Sequence, residues 1–227
     1  MAGTRKRTAV LISGRGSNMQ ALVAAAVAPA YPADVVAVIA NDPAAKGLEW
    51  ARQTGLDARV VDHRAFKRDR EAFDAALDAM LQDLGIEIVA LAGFMRLLTP
   101  GFVDAWLGRM INIHPSLLPA FKGLETHART LDAGVRIAGC TVHYVVAEMD
   151  AGPIIAQAAV PVLDGDDENR LATRILQAEH IIYPLALGLV ASGRCRLEAG
   201  RAVFDRFDDA GENQAAILIS PHMKSID

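Results

Sequence analysis

Along the first half of the chain, short apolar runs rich in β-branched residues alternate with longer stretches of helical period. The runs are residues 8–13, 34–41, 59–62, 87–94 and 109–114, and each is bounded by turn-forming residues. Between them lie stretches 17–30, 46–54, 67–84 and 100–107. Leading into and along the third stretch, Phe66, Phe73, Leu77 and Leu81 recur at about one or two helical turns, which marks a single buried face. Val35, Val36, Val38 and Ile39 make the second run apolar on both sides, as in a strand covered by helices above and below. Strand–helix alternation of this kind predicts an α/β fold with a doubly wound, mostly parallel sheet.

After Gly134 the pattern changes. Residues 137–146 and 153–162 are separated only by the turn Glu148-Met149-Asp150-Ala151-Gly152, so an antiparallel hairpin is predicted, because parallel strands need a longer crossover. A long helix follows over about 167–191. Residues 195–198 and 201–204, split by Ala199-Gly200, predict a small terminal hairpin. Residues after Gly211 carry no clear pattern. With 227 residues, one domain is expected: a first half over about 8–107, a second over 108–192, and a hairpin and tail over 193–227.

Composition narrows the function classes. The net charge of −4 argues against coating nucleic acid or membrane by bulk electrostatics, and no nucleic-acid or membrane partner is expected. No stretch approaches the roughly 18–20 consecutive apolar residues of a membrane helix. The basic start, Met1 to Arg7, leads into an apolar run too short for an export signal, so a cytoplasmic protein is expected. Cys140 and Cys195 lack metal-ligand spacing and read as small buried hydrophobes; no metal requirement is expected.

Three places carry candidate chemistry. Ser13-Gly14-Arg15-Gly16-Ser17-Asn18 is a glycine-rich turn between strand and helix, where free backbone N–H groups and the positive helix end favour a phosphate. Ser17 and Gln20 also fit a capping box, and the turn is equally a well-capped connection. Met19 stands where a dinucleotide fingerprint needs a third small residue, so a small phosphomonoester fits better than NAD. Next, Asn112 and His114 are two apart on a strand and project to one side. Together an amide and an imidazole can hold an oxyanion and move protons; alone, the histidine could equally cap local backbone. Prolines 115 and 119 keep the following loop out of helix and strand. Third, Asp150 lies in the hairpin turn, where Asp is also a common turn former.

Weaker features stay open on residue type alone. The acidic run Asp164, Asp166, Asp167 suits either a cation or a helix cap. Glu179-His180 could be a solvated pair or reach a site, and Arg96 an anion contact or a snorkelling side chain.

Taken together, Ser13-Gly14-Arg15-Gly16-Ser17-Asn18, Ala92-Gly93-Phe94-Met95-Arg96, Asn112-Ile113-His114-Pro115-Ser116-Leu117-Leu118-Pro119 and Met149-Asp150-Ala151-Gly152-Pro153 closely resemble the phosphoribosylglycinamide formyltransferases, a folate-dependent family of purine synthesis. The likeness covers roughly residues 8–190, and Gly123-Leu124-Glu125-Thr126-His127 points to this member of the wider formyltransferase group. The resemblance implies a Rossmann-like formyltransferase core. It implies that Asn112, His114 and Asp150 are catalytic, and that Gly16, Ser17, Asn18 and Glu179 contact the phosphoribosyl substrate. It also implies folate contacts at Arg70, Met95, Arg96, Leu97, Leu98 and Asn112 and along Val146, Ala147, Glu148, Met149 and Asp150. The implied substrates are 5'-phosphoribosylglycinamide and 10-formyltetrahydrofolate, on a monomer or homodimer; Arg15 and Lys122 receive no role.

Three rivals are a formyltetrahydrofolate deformylase, a methionyl-tRNA formyltransferase and an inactive binding module. The expectation disfavours the first two, because the recognisable pattern runs from Thr8 to about Gly193 without the further domain each carries. The intact Asn112, His114 and Asp150 weigh against the third.

Overall fold

A computed structural model describes residues 5–205. The first eight regular elements alternate: β1 (Lys6–Ile12), α1 (Ser17–Ala26), β2 (Ala33–Ala40), α2 (Lys46–Gln53), β3 (Asp57–Val60), α3 (Arg70–Asp83), β4 (Ile88–Leu91) and α4 (Pro100–Ala105). Then come β5 (Met110–His114), α5 (Thr126–Asp132), β6 (Ile137–Tyr144), β7 (Ile154–Pro161), α6 (Glu168–Ala191), β8 (Cys195–Glu198) and β9 (Arg201–Phe204). One seven-stranded sheet has the order β3-β2-β1-β4-β5-β6-β7, and β8-β9 form a separate two-stranded sheet. Strands β1 to β5 pair in parallel, whereas β5–β6, β6–β7 and β8–β9 pair antiparallel.

Alternation along β1 explains the two cores. Val10 and Ile12 pack with Met19, Leu22, Leu48 and the inner face of α6, while Ala9 and Leu11 pack with α3 and α4 on the other face. On α3, Phe73, Leu77 and Leu81 are fully buried, each contributing roughly 1.5–3 kcal/mol relative to exposure. Order reverses at β1, with β2 on one side and β4 on the other. At such a switch point the carboxyl ends of the strands leave a crevice for ligands.

Several boundaries depart from the sequence pattern for identifiable reasons. The helix expected from residue 67 starts at Arg70: Lys67 has φ 51°, and Asp69 caps the helix by accepting from the Ala72 N–H. Phe66 falls in a short 3-10 turn, His63–Phe66, yet still meets Phe73 edge-on with ring centroids 5.7 Å apart. The capping box expected at Ser17 and Gln20 is not formed. Gly16, at φ 74°, takes the capping position, its carbonyl accepts from the Gln20 N–H, and no side chain caps the helix. α5 was not anticipated, having too few apolar residues for a periodic signal. The run 164–167 resolves as a cap: Asp167 accepts from the Arg170 N–H, and Asp166 pairs with Arg174 at 2.7 Å. Cys140 and Cys195 are free and buried, as expected. Residues 206–227, with the stretch beyond Gly211, lie outside the described residues.

Candidate active site

The turn after β1 is built from backbone. Gly16 reaches its left-handed conformation without strain, which sends Ser17 directly into α1 and leaves the first amides of the helix free of side-chain caps. The turn is also clasped from outside: the Gly47 N–H donates to the Gly14 carbonyl at 3.0 Å. A Cβ on Gly47 would lie 2.5 Å from Ile12 Cδ1, so a glycine at the start of α2 is what permits this approach.

α6 crosses beneath the turn. Tyr183, fully buried, donates to the Leu91 carbonyl at 2.9 Å and fixes the helix against β4. One turn earlier, Glu179 is 6% exposed and accepts from Asn18 Nδ2 at 2.7 Å. Burial pushes its carboxyl pKa up, against the bond from Asn18. Asn18 Oδ1 is buried without a hydrogen bond. Gly16, Ser17, Asn18 and Glu179 thus share one end of the α1–α6 interface.

The second cluster is assembled by long-range pairing. Asn112 and His114 are neighbours on one face of β5, where antiparallel register sets Asn112 opposite His143 and His114 opposite Thr141. Asn112 Nδ2 lies 3.2 Å from His143 Nε2, and His143 Nδ1 lies 2.9 Å from the Tyr144 carbonyl. A neutral His143 with its proton on Nδ1 satisfies both contacts, donating to Tyr144 and accepting from Asn112. Burial pushes the His143 pKa down, which favours that neutral form. One hydrogen of the Asn112 amide is thereby held.

The loop after β6 brings Asp150 to His114. His114 Nδ1 is 3.5 Å from Asp150 Oδ2, an ion-pair separation, and His114 Nε2 is 3.0 Å from the Phe121 carbonyl. Both ring nitrogens therefore face acceptors. Asp150 Oδ2 also accepts from the Gly123 N–H at 2.8 Å, and Asp150 Oδ1 is 3.9 Å from His143 Nε2. His114 and Asp150 side chains are 8% and 11% exposed, buried enough for their mutual field to be poorly screened. Gly152 ends the loop, and a Cβ there would sit 1.6 Å from the Tyr144 carbonyl oxygen; only glycine lets the loop close onto β6.

The sequence pattern gives no role to His143 or Phe121, and marks Gly123 only as part of a family motif. The unanticipated α5 holds the 121–123 segment, because Arg129 donates to the Lys122 and Leu124 carbonyls. Polar Thr141 and His143, two apart in an otherwise apolar strand, were the available signal. Thr141 also accepts from the Leu118 N–H and donates to the Ser116 carbonyl, which ties the proline-rich loop to β6.

The third group lies on the turn after β4. Met95 and Leu97 are exposed, and Arg70 donates to the Leu97 and Leu98 carbonyls at 3.2 and 3.0 Å. The Arg96 guanidinium lies 4.1 Å from the Phe73 ring centroid, and its buried Nε and Nη2 make no hydrogen bond. Stacking thus accounts for part of its placement, and two desolvated donors remain. On the loop after β6, Met149 is exposed and Glu148 reaches Lys122 at 3.1 Å. Val146 and Ala147 lie early in this loop, just after Val145. Among the described residues, no three His, Cys, Asp or Glu side chains cluster closely enough to hold a metal ion, and no helix is long and apolar enough to cross a membrane.

Comparison with known proteins gives the family. The formyl transferase family matches residues 6–187. Phosphoribosylglycinamide formyltransferase of Escherichia coli K12 is 44% identical over 86% of this chain and 92% of its own. The trifunctional purine biosynthetic protein adenosine-3 of Bos taurus is 52% identical over 87% of this chain, which spans only 20% of that relative's length. Among solved structures, glycinamide ribonucleotide transformylase 1 of Symbiobacterium toebii superposes with a TM-score of 0.85 at 49% identity, covering 89% of this chain and 95% of its own. With the family match running from β1 into α6, and full-length relatives matched nearly end to end, the chain belongs to the formyl transferase family, in its phosphoribosylglycinamide formyltransferase branch.

Proposed function

We propose that the protein transfers the formyl group of 10-formyltetrahydrofolate to the amine of 5'-phosphoribosylglycinamide, a step of de novo purine synthesis. The observation that carries this reading is the convergence of Asn112, His114 and Asp150, from β5 and a distant loop, beside two turns suited to the two substrates. The phosphate sits on the uncapped first turn of α1, at Gly16, Ser17 and Asn18. Glu179 accepts from the hydroxyls of the sugar. The folate lies along Met95–Leu98 and Val146–Asp150, with the Arg70 and Arg96 side chains on the side of its carboxylates.

In the reaction, the glycinamide nitrogen adds to the formyl carbon and the carbonyl oxygen becomes an oxyanion. The Asn112 amide and protonated His114 donate to it. For His114 Nε2 to do so, the substrate oxygen takes the place of the Phe121 carbonyl. Asp150 orients His114 through Nδ1 and holds a water that passes the amine's proton to the departing folate nitrogen. Collapse of the adduct breaks the bond between the formyl carbon and that nitrogen and releases tetrahydrofolate. Amine, water and imidazole suffice for every proton, and no covalent enzyme adduct is needed.

The test supplies 10-formyltetrahydrofolate with and without the ribonucleotide and follows tetrahydrofolate and formate. Tetrahydrofolate release that requires the ribonucleotide supports transfer. Formate released without it assigns the site to a deformylase, and no turnover in either condition leaves a binding module. Inorganic phosphate should compete with the ribonucleotide and not with the folate.

A further inference from the structure

Between the two substrate turns stands one side chain that neither reading uses. Ser13 is the residue after β1, immediately before the glycine turn. Its hydroxyl accepts from the Met95 N–H at 2.7 Å and donates to Asn41 Oδ1 at 2.6 Å. Its own N–H donates to the Gly93 carbonyl at 3.1 Å. A hydroxyl has one proton, and Asn41 takes it, so the lone pair that meets Met95 has a fixed direction. Asn41 is itself buried and held: its carbonyl receives the His63 N–H at 3.1 Å and faces His63 Nδ1 at 2.6 Å.

The turn after β4 presents exposed apolar side chains, and its anchors include one toward each end. Arg70 grips its far end at Leu97 and Leu98, and Ser13 grips its near end at Met95. The near anchor is continuous in sequence with Gly14, whose carbonyl is the point clasped by Gly47. We propose that Ser13 is a positioning residue that couples the two turns, so that a ligand fixing the turn after β1 also orders the turn after β4. The coupling rests on the reading above of these turns as the ribonucleotide and folate sites. A ligand that has ordered one turn lowers the ordering cost met by the other, and by linkage the effect is reciprocal.

The experiment measures ribonucleotide affinity by titration calorimetry, alone and with saturating tetrahydrofolate, which has no formyl group to transfer. In the wild-type protein, tetrahydrofolate should tighten the ribonucleotide by at least about fivefold, the lower end of ordinary coupling between sites. In Ser13→Ala the ratio should fall clearly below the wild-type value, while each ligand alone binds within about threefold of wild type, because the backbone bond from residue 13 to Gly93 survives. Ser13→Thr keeps the hydroxyl and should keep the ratio. Asn41→Ala, which leaves Ser13 in place but removes the acceptor that aims its proton, should give an intermediate ratio. A merely structural role would weaken both ligands alike without touching the ratio. A wild-type ratio of one, an undiminished ratio in Ser13→Ala, or a lost ratio in Ser13→Thr each overturns the coupling. Failure of the wild-type protein to bind either ligand overturns the substrate assignment itself, a different result.

Discussion

The glycine turn after β1 and the cluster around His114 are made in opposite ways. The first is nearly all backbone: a left-handed glycine, uncapped helix amides and a clasp from Gly47, with Asn18 and Glu179 added from α1 and α6. The second is nearly all side chain, held by pairs far apart in sequence: Asn112 with His143, His114 with Asp150, and Asp150 with the amide of Gly123. Backbone sites hold charge in place and contribute chiefly to affinity. A constellation of oriented side chains lowers the barrier when its donors face charge that exists only in the transition state. Substitutions in the two regions should therefore separate binding from turnover.

The largest separation is expected from Asn112→Ala, which removes one of the two proposed oxyanion donors. Turnover should fall by about 10²–10³-fold with little change in either KM. Equal increases in both KM values at unchanged turnover would erase the contrast between the regions. Gly152→Ala comes next, since the loop carrying Asp150 must shift to clear the Tyr144 carbonyl. A displacement of about 1 Å at the chemistry corresponds to about 10²-fold in kcat/KM for the formyl donor, with ribonucleotide affinity retained. Gly16→Ala probes the other region. Forcing a side chain into the left-handed conformation costs about 1–2 kcal/mol, so the ribonucleotide and competing phosphate should weaken by about tenfold at unchanged kcat.

The smallest effect concerns pH and Glu179. Its folded pKa lies above the unfolded value, so the native state holds the extra proton between the two. Stability should decline as pH rises through that window and level off above it. Glu179→Gln has no proton to lose and should remove that part of the decline, read as a flatter dependence of Tm on pH; an unchanged slope would contradict the burial argument.

How much of this was legible in the sequence follows the same division. β8–β9 and the hairpin β6–β7 came directly from alternation and turn residues, and the α/β order from apolar runs that depend only on near neighbours. The turn after β1 was legible for the same reason, although its cap shifted by one residue because Gly16 adopts a conformation that Ser17 would resist. The cluster was legible only in parts. Asn112 and His114 share a strand face, but nothing local says that Asp150 returns to His114 or that the antiparallel register sets His143 against Asn112. α5 was missed because its seven residues, THARTLD, bury little more than Thr126 and Thr130, and yet it holds the 121–123 segment against both His114 and Asp150.

The claim that the chemistry resides in that long-range cluster is tested most directly by the single-turnover rate of Asp150→Asn with both substrates saturating. The side chain keeps its size and can still accept from Gly123, but it loses the charge facing His114. The account predicts a fall of at least about 10²-fold at unchanged substrate affinity. A rate within about threefold of wild type, in a protein that folds normally, would contradict it.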